Sequence, residues 1–313
     1  MRPVGTGGVE KRGPGNGTPL KMPGDPSGNR KEVFMEQHHE NKMGTAPILK
    51  LVFSMSLPAM FSMLVQALYN IVDSIFVSRL GVNALAAVSL AFPIQTLLIA
   101  VAVGTGVGVN SLISRRLGEK DMDAADKAAT HGLLLGVFSW APFLIFGLFF
   151  CPMYMNAFSK TAEVVSMGTS YLAIVCTLSV GSIVEIMVEK TLQATGNMVY
   201  PMLFQLSGAI TNIILDPIFI FGYFGVPAMG VAGAAIATVI GQFVSLIFSL
   251  IILFTKTHQV KITFKGFRFN GKTIKDIYAV GFPSIIMQAI GSVMNMGMNG
   301  ILATFSDTAV AVL

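Results

Sequence analysis

Seven long apolar segments constrain the fold of this chain more than any other feature. Each is long enough to cross the ~30 Å hydrocarbon core of a bilayer as a helix, some with tilt. Charged residues make up only 12% of the chain, against roughly 25% in ordinary soluble domains. The sequence therefore predicts an all-α polytopic membrane protein rather than a soluble domain. The segments lie near residues 51–78, 84–112, 129–150, 164–188, 199–221, 231–254 and 277–304.

The composition divides the chain into regions. Residues 1–49 are rich in Gly, Pro and charge and have too little apolar surface to fold alone, so we expect a disordered tail there. Residues 50–254 hold six apolar segments and are predicted to form one lobe of six transmembrane helices. Residues 255–275 are basic and are predicted to be a linker, and residues 276–313 to be the first helix of a second lobe.

The distribution of Lys and Arg predicts the orientation in the membrane. Of the 21 basic residues, all but Arg79 and Lys160 fall on one side if the segments alternate in direction. The positive-inside rule then places the tail and the linker in the cytoplasm. The same distribution accounts for the net charge of +5 without a nucleic-acid partner, and the basic side would face anionic lipid.

A weak internal repeat suggests that the chain holds more than one lobe. The seventh segment resembles the first, and one shift aligns Pro58 with Pro283 and Asn70 with Asn295. Transporters are often built from two such halves. We therefore expect the chain to be a fragment, with one complete six-helix lobe and the start of a second.

Acidic residues within apolar segments are the main candidates for a functional site. A charge near the centre of a bilayer costs at least ~2.5–3.5 kcal/mol and is tolerated in a bundle interior or a wet cavity. Asp73 shares a helix face with Tyr69 and Gln66, and Asn70 lies beside them. The alternative is that Asp73 lies at a helix end and extends its carboxylate to the membrane–water interface.

A second candidate lies in the fifth segment, where Asn212 and Asp216 share a face beside Pro217. A carboxyl group in a low-dielectric bundle can exchange a proton, or bind a sodium ion together with amide and hydroxyl oxygens. For Glu185 the sequence leaves two interpretations open, one in which its side chain lines the cavity and one in which it does not. Glu189 is interpreted as an interfacial or structural residue.

Four motifs follow one another along the chain: LPAMFSMLVQALYNIVDSIFVSRLG, SRRLGEKD, LQATGNMVYP and NIILDPIFIFGYFGVPAMGVAGAAIAT. In this order they resemble the multidrug and toxic-compound extrusion (MATE) family, and the resemblance covers about residues 45–313. It implies a twelve-helix antiporter with two six-helix lobes and a central cavity. Such proteins exchange organic cations and other amphiphiles for protons or sodium.

The resemblance also implies which residues couple the ion. The acidic residue of the first span corresponds to Asp73, and the Asn and Asp of the fifth span correspond to Asn212 and Asp216. These three would hold a metal ion only if that ion is sodium. The family can also use a threonine in the sixth span, but an ungapped count lands at Ala234, one turn before Thr238. This departure favours protons over sodium.

Competing functions remain open. The first is an ion-coupled exporter of organic cations or drugs in a plasma membrane, expected by resemblance to be bacterial, monomeric at full length and without a cofactor. The second is a flippase for lipid-linked oligosaccharide, which would need a more cationic cavity for a pyrophosphate group. The third is an intramembrane enzyme, but no nucleophile or metal constellation such as HExxH lies at membrane depth.

Overall fold

The computed structural model describes residues 47–256, 258–264, 267–303 and 305. All regular structure within these residues is helical, as the sequence predicted. The predicted tail up to residue 46 and the chain end at 306–313 lie outside the described residues. The helices are α1 (Ile48–Ser78), α2 (Val82–Gly118), α3 (Met122–Ile145), α4 (Cys151–Phe158), α5 (Ala162–Leu178), α6 (Val180–Ala194), α7 (Val199–Phe221), α8 (Val231–Thr255) and α9 (Gly271–Ala303).

Six helical stretches in the described residues are long and apolar enough to span a membrane, and a seventh is possible if α5 and α6 form one bent span. Helices α3 and α4 form one such stretch, joined by a π-helical turn at Phe146–Phe150. Each predicted apolar segment corresponds to one of these stretches. Helix α9 begins at Gly271, so it includes the last residues that the sequence analysis placed in the linker.

The ends of the helices follow from local chemistry. At the start of α3, Asp121 accepts a hydrogen bond from the backbone N–H of Ala124 at 3.0 Å, which satisfies one of the free donors of the first turn. Helix α7 ends at Gly222, whose φ of 81° places it in the left-handed region. A Cβ atom at Gly222 would also lie 2.8 Å from the backbone nitrogen of Ala228. Only glycine fits this turn.

A bend of 45° separates α5 from α6, although neither helix contains a proline. At the break, the hydroxyl of Ser179 donates to the carbonyl of Cys176 at 2.8 Å, and that of Ser182 donates to Ser179 at 2.9 Å. The indole N–H of Trp140 donates to the carbonyl of Thr177 at 3.1 Å. Side-chain hydrogen bonds thus take the place of some backbone hydrogen bonds at the break, which is a common cause of helix kinks.

Helix α2 lies at the centre of the packing, with α9 along one side of it. Glycines make this approach possible, because a Cβ at Gly108 would lie 2.1 Å from the carbonyl oxygen of Ile277. Further along, Asn299 donates to the carbonyl of Ser89 at 3.0 Å, and Ser292 donates to that of Pro93. The seventh span therefore contacts the second span from its beginning to near its end.

Candidate functional site

The centre of the candidate site is a polar cluster between α7 and α8. Asn212 and Asp216 lie one turn apart in α7, and they are 3% and 0% exposed. The Nδ2 atom of Asn212 lies 3.2 Å from Asp216 Oδ1 and 3.2 Å from Thr238 Oγ1 on α8. An amide nitrogen has two protons and can donate both bonds at once. The cluster thus joins two helices through one side chain.

Close contact between α7 and α8 brings this cluster together. A Cβ atom at Gly241 would lie 2.8 Å from the carbonyl oxygen of Gly208, and one at Gly233 would lie 2.4 Å from that of Phe219. Small residues at a membrane helix interface allow backbones to approach closely. Thr238 lies between these two glycines of α8, which places its hydroxyl within reach of Asn212.

Helix α1 contributes the second carboxylate. Asp73 and Tyr69 share one face of α1 and line a cavity of about 580 Å³, which Thr238 reaches from α8. Thr238 connects the two carboxylates, because it lines the cavity with Asp73 and accepts from Asn212, which also donates to Asp216. Asn70 also lines this cavity. The structure therefore brings together residues of the first, fifth and sixth spans that the sequence placed in one site.

Three oxygen atoms of this site have no hydrogen-bond donor within the described part of the chain. They are Asp73 Oδ1, Asn212 Oδ1 and Asp216 Oδ2, and each is buried. A buried acceptor without a partner costs about 1–3 kcal/mol. Carboxylate, amide and hydroxyl oxygens are ligands that suit a hard cation, and a carboxylate also accepts a proton. The site therefore offers buried acceptor oxygens of the kind that hold a proton or a small cation.

Gln95 and Tyr171 are among the residues of the cavity wall that the sequence analysis missed. Gln95 on α2 donates from Nε2 to the hydroxyl of Tyr171 on α5 at 3.1 Å, and both line the cavity. Tyr171 is only 2% exposed, and it lines the same cavity as Asp73. Gln95 is a polar residue within an apolar span, and this feature of the sequence could have identified it as a candidate cavity residue.

Two predicted cavity residues lie elsewhere. Gln66 is exposed on α1 and does not line the cavity. Glu185 on α6 is 8% exposed and also lies outside the cavity lining. It instead neighbours Glu189, whose Oε1 lies 3.1 Å from the ammonium of Lys190 and accepts a hydrogen bond of 2.5 Å from Gln193. The Glu189–Lys190 ion pair agrees with the structural interpretation made for it.

Groups of three or more His, Cys, Asp or Glu side chains able to hold a metal ion do not occur in the described residues. The oxygen set at the site contains two carboxylates only, so the remaining ligands for a sodium ion would be the side-chain oxygens of Asn212 and Thr238. Such a set suits an alkali cation rather than a transition metal, which favours nitrogen and sulfur ligands.

A bundle of membrane-spanning helices with carboxylates beside an internal cavity is the architecture of a secondary transporter. Comparison with known families agrees, since the model of the MatE family matches residues 58–218, about half of the chain. The chain belongs to this family, which consists of transporters and not of enzymes.

Curated relatives and solved structures support the assignment. The multidrug export protein MepA of Staphylococcus aureus (strain MRSA252) is 26% identical over 267 residues, which cover 85% of this chain and 58% of MepA. The MATE multidrug transporter DinF-BH is 33% identical at a TM-score of 0.80, over 86% of this chain and 60% of that one.

An inward-facing multidrug resistance MATE transporter of the MOP superfamily is 34% identical at a TM-score of 0.74. The match covers 79% of this chain and 56% of that transporter. The chain thus spans somewhat more than half the length of the relatives it matches.

Proposed function

We propose that this chain is the first lobe and seventh helix of an antiporter that exports organic cations in exchange for protons or sodium. The observation that carries the proposal is the cluster of Asn212, Asp216 and Thr238 beside a cavity that also holds Asp73. The relatives named multidrug export protein and multidrug transporter support a role in the export of small molecules.

The site supports coupling because ion and cargo would compete for the same negative charge. An organic cation in the cavity would neutralise Asp73, and the aromatic rings of Tyr69 and Tyr171 in the cavity wall would stabilise it further. A proton or sodium ion at Asp216 and Asp73 would remove that attraction. Binding of the ion on one side of the membrane would therefore release the cargo there, which is the exchange that an antiporter needs.

The contact between Asn212 and Thr238 bears on whether the site favours protons or sodium as the coupling ion. The sequence pattern argued against sodium, because an ungapped count placed Ala234 where the family can use a threonine. The structure places the Thr238 hydroxyl 3.2 Å from Asn212 Nδ2, so a hydroxyl oxygen is available at the site after all. The set of oxygen atoms is therefore suited to either ion.

The charge of the cavity favours cationic cargo over a lipid-linked pyrophosphate. Among the described residues, those that line it include the carboxylate of Asp73 and neither Lys nor Arg. A pyrophosphate group would require cationic partners at this position. We therefore keep the export of cations as the proposed activity and treat the flippase as the alternative that transport assays must exclude.

The proposed setting is a bacterial plasma membrane with the N-terminus in the cytoplasm. The linker contacts the start of α3, where Lys261 donates from its backbone nitrogen to Asp126 at 2.7 Å. This contact puts the basic linker and the basic turn after α2 on the same side of the bundle, as the positive-inside rule requires. We propose that the full-length protein is a monomer.

A transport assay tests this proposal, with the chain extended to the full length of its relatives. In proteoliposomes, a pH or sodium gradient should drive release of a fluorescent organic cation, and Asp216→Asn should abolish that release. Asp123→Asn, an exposed carboxylate in the first turn of α3, is the matched control and should transport normally. Gradient-driven release that survives in Asp216→Asn would overturn the proposed site.

A further inference from the structure

The linker between α8 and α9 is fixed to α3 along much of its length. We call its described residues, 258–264 and 267–270, the strap. Side chains of α3 accept hydrogen bonds from three backbone N–H groups of the strap. Asp126 Oδ1 accepts from Lys261 at 2.7 Å, Thr130 Oγ1 accepts from Thr263 at 3.3 Å, and His131 Nε2 accepts from Asn270 at 3.0 Å.

The strap also packs apolar side chains against the bundle. Val260 is 2% exposed and packs in a core cluster with residues of α2 and α3. The ring of Phe267 lies 4.6 Å from that of His131, and the ring of Phe269 lies 5.9 Å from that of Phe138. A solvated surface loop would lack both the buried side chains and the paired backbone groups.

His131 is the most constrained member of this contact. It is 1% exposed, and its Nδ1 lies 2.6 Å from the carbonyl oxygen of Lys127. A carbonyl can only accept, so Nδ1 carries the proton and Nε2 is left as the acceptor for the N–H of Asn270. Both ring nitrogens are therefore used, and the neutral ring with its proton on Nδ1 satisfies both contacts.

The partner of His131 is Asn270, the residue directly before α9. Asn270 Oδ1 accepts from the backbone nitrogen of Lys272 at 2.9 Å, and its carbonyl oxygen accepts from Ile274 at 3.1 Å. Asn270 thus caps the first turn of α9. A direct chain of hydrogen bonds runs from α3 through His131 and Asn270 into α9.

We propose that His131 is a positioning residue that fixes the start of the seventh span against the first lobe. The proposal rests on the proposed transport function for its consequence, because α9 leads into the second lobe of a full-length transporter. The two lobes would then be joined by a strap that moves with the first lobe, not by a free tether. Motion between the lobes must begin beyond Asn270.

Amide hydrogen exchange on this chain in nanodiscs tests the contact without any transport assay. In His131→Leu, the Asn270 amide should exchange roughly fivefold faster or more, because it loses its acceptor. His131→Gln should restore part of the protection, since its amide oxygen can accept in place of Nε2. Unchanged exchange at Asn270 in a folded His131→Leu protein would overturn the proposal.

His258, a histidine of the strap itself, provides a matched control. His258 lies beside the carbonyl of Ile252 and the ring of Tyr200, and bonds to no side chain of α3. His258→Leu should therefore leave exchange at Asn270 unchanged. If His131→Leu does not fold, Thr130→Val removes one acceptor with little change in shape, and exchange at Thr263 should then accelerate by itself. No change at Thr263 in that variant would contradict the strap contact.

Transport separates this inference from the proposed function. At full length, His131→Leu should lower the maximal rate of cation release several-fold while the apparent affinity for the cation stays unchanged. Asp216→Asn should abolish release but leave exchange at Asn270 as in the wild type. Normal release by His131→Leu, despite faster exchange at Asn270, would overturn the positioning role. Normal release by Asp216→Asn would instead overturn the proposed function.

Discussion

Asn212 on α7 and Thr238 on α8 are joined by a hydrogen bond of 3.2 Å between Nδ2 and Oγ1. The second proton of the same nitrogen is directed to Asp216. Thr238 therefore orients the amide that in turn contacts the carboxylate. A residue of the sixth span thus takes part in the site even if it never touches the coupling ion.

Thr238→Val should weaken ion binding, whereas Thr238→Ser should not. Valine keeps the shape of threonine but removes the acceptor of Asn212, which costs about 1 kcal/mol, or roughly a fivefold loss of ion affinity. The measurement is the ion concentration that gives half-maximal cation release in proteoliposomes. Equal values for the valine and serine variants would show that the hydroxyl has no role.

Tyr171→Phe should lower the apparent affinity for the cation by roughly three- to tenfold, with little change in the maximal rate. The ring remains in the cavity wall, but Gln95 Nε2 loses the hydroxyl that it contacts at 3.1 Å. Tyr200→Phe, at the start of α7 beside His258, is the control. An affinity loss of the same size in both variants would argue against a specific effect of the cavity.

Gly108→Ala should destabilise the bundle by about 1–3 kcal/mol, because the new methyl group would overlap the carbonyl of Ile277 and force α2 and α9 apart. Gly118→Ala is the matched substitution near the end of the same helix, where no atom lies within 4 Å of the added Cβ. Thermal unfolding in detergent should separate the two variants. A Gly108→Ala protein as stable as Gly118→Ala would contradict the close contact of the two helices.

Glu119 should titrate below the range of an ordinary glutamate. Hydrogen bonds first from Arg116, at 2.8 Å, and then from Arg115, at 3.1 Å, lower the pKa of this exposed carboxyl group. The lowered pKa means that the contacts stabilise the fold at neutral pH. That contribution is lost as the pH falls from the ordinary glutamate pKa through the lowered value.

Site-specific NMR of the Glu119 carboxyl carbon measures this titration directly. Arg116→Gln should move the midpoint upward by more than Arg115→Gln, because Arg116 is the larger cause and the less exposed of the two arginines. High salt should reduce the difference, since exposed charges are screened. A midpoint that neither substitution moves would show that the ion pairs do not form.

The apolar pattern predicted the helices well because a bilayer leaves little choice of structure. Helix α7 has the predicted bounds, Val199–Phe221. The break at Ser179 was missed, since hydroxyl groups of Ser and Thr occur in straight membrane helices as well. The prolines within the apolar segments do not end the helices, since α1, α2 and α9 continue through Pro58, Pro93 and Pro283.

The candidate site was only partly predictable for a different reason. Spacing along one helix identified Asn212 with Asp216, and Tyr69 with Asp73, because both pairs are local. Contacts between helices depend on rotation and depth, which a single sequence does not specify. Pairs such as Gln95 with Tyr171 therefore appear only in the structure, and Glu185 faces Glu189 and Ser245 instead of the cavity.

In the proposed antiport, the two carboxylates Asp73 and Asp216 would also bear on the electrical work of each transport cycle. They carry at most two negative charges, so this site would take up at most two monovalent ions as one organic monocation leaves. Exchange of two for one moves a net charge inward, and a membrane potential of 100 mV then adds about 2.3 kcal/mol of driving force. Exchange of one for one is electroneutral, and voltage adds nothing. Under the proposed function, the number of these carboxylates that bind an ion in each cycle would therefore decide whether the cell can use its membrane voltage as well as its ion gradient.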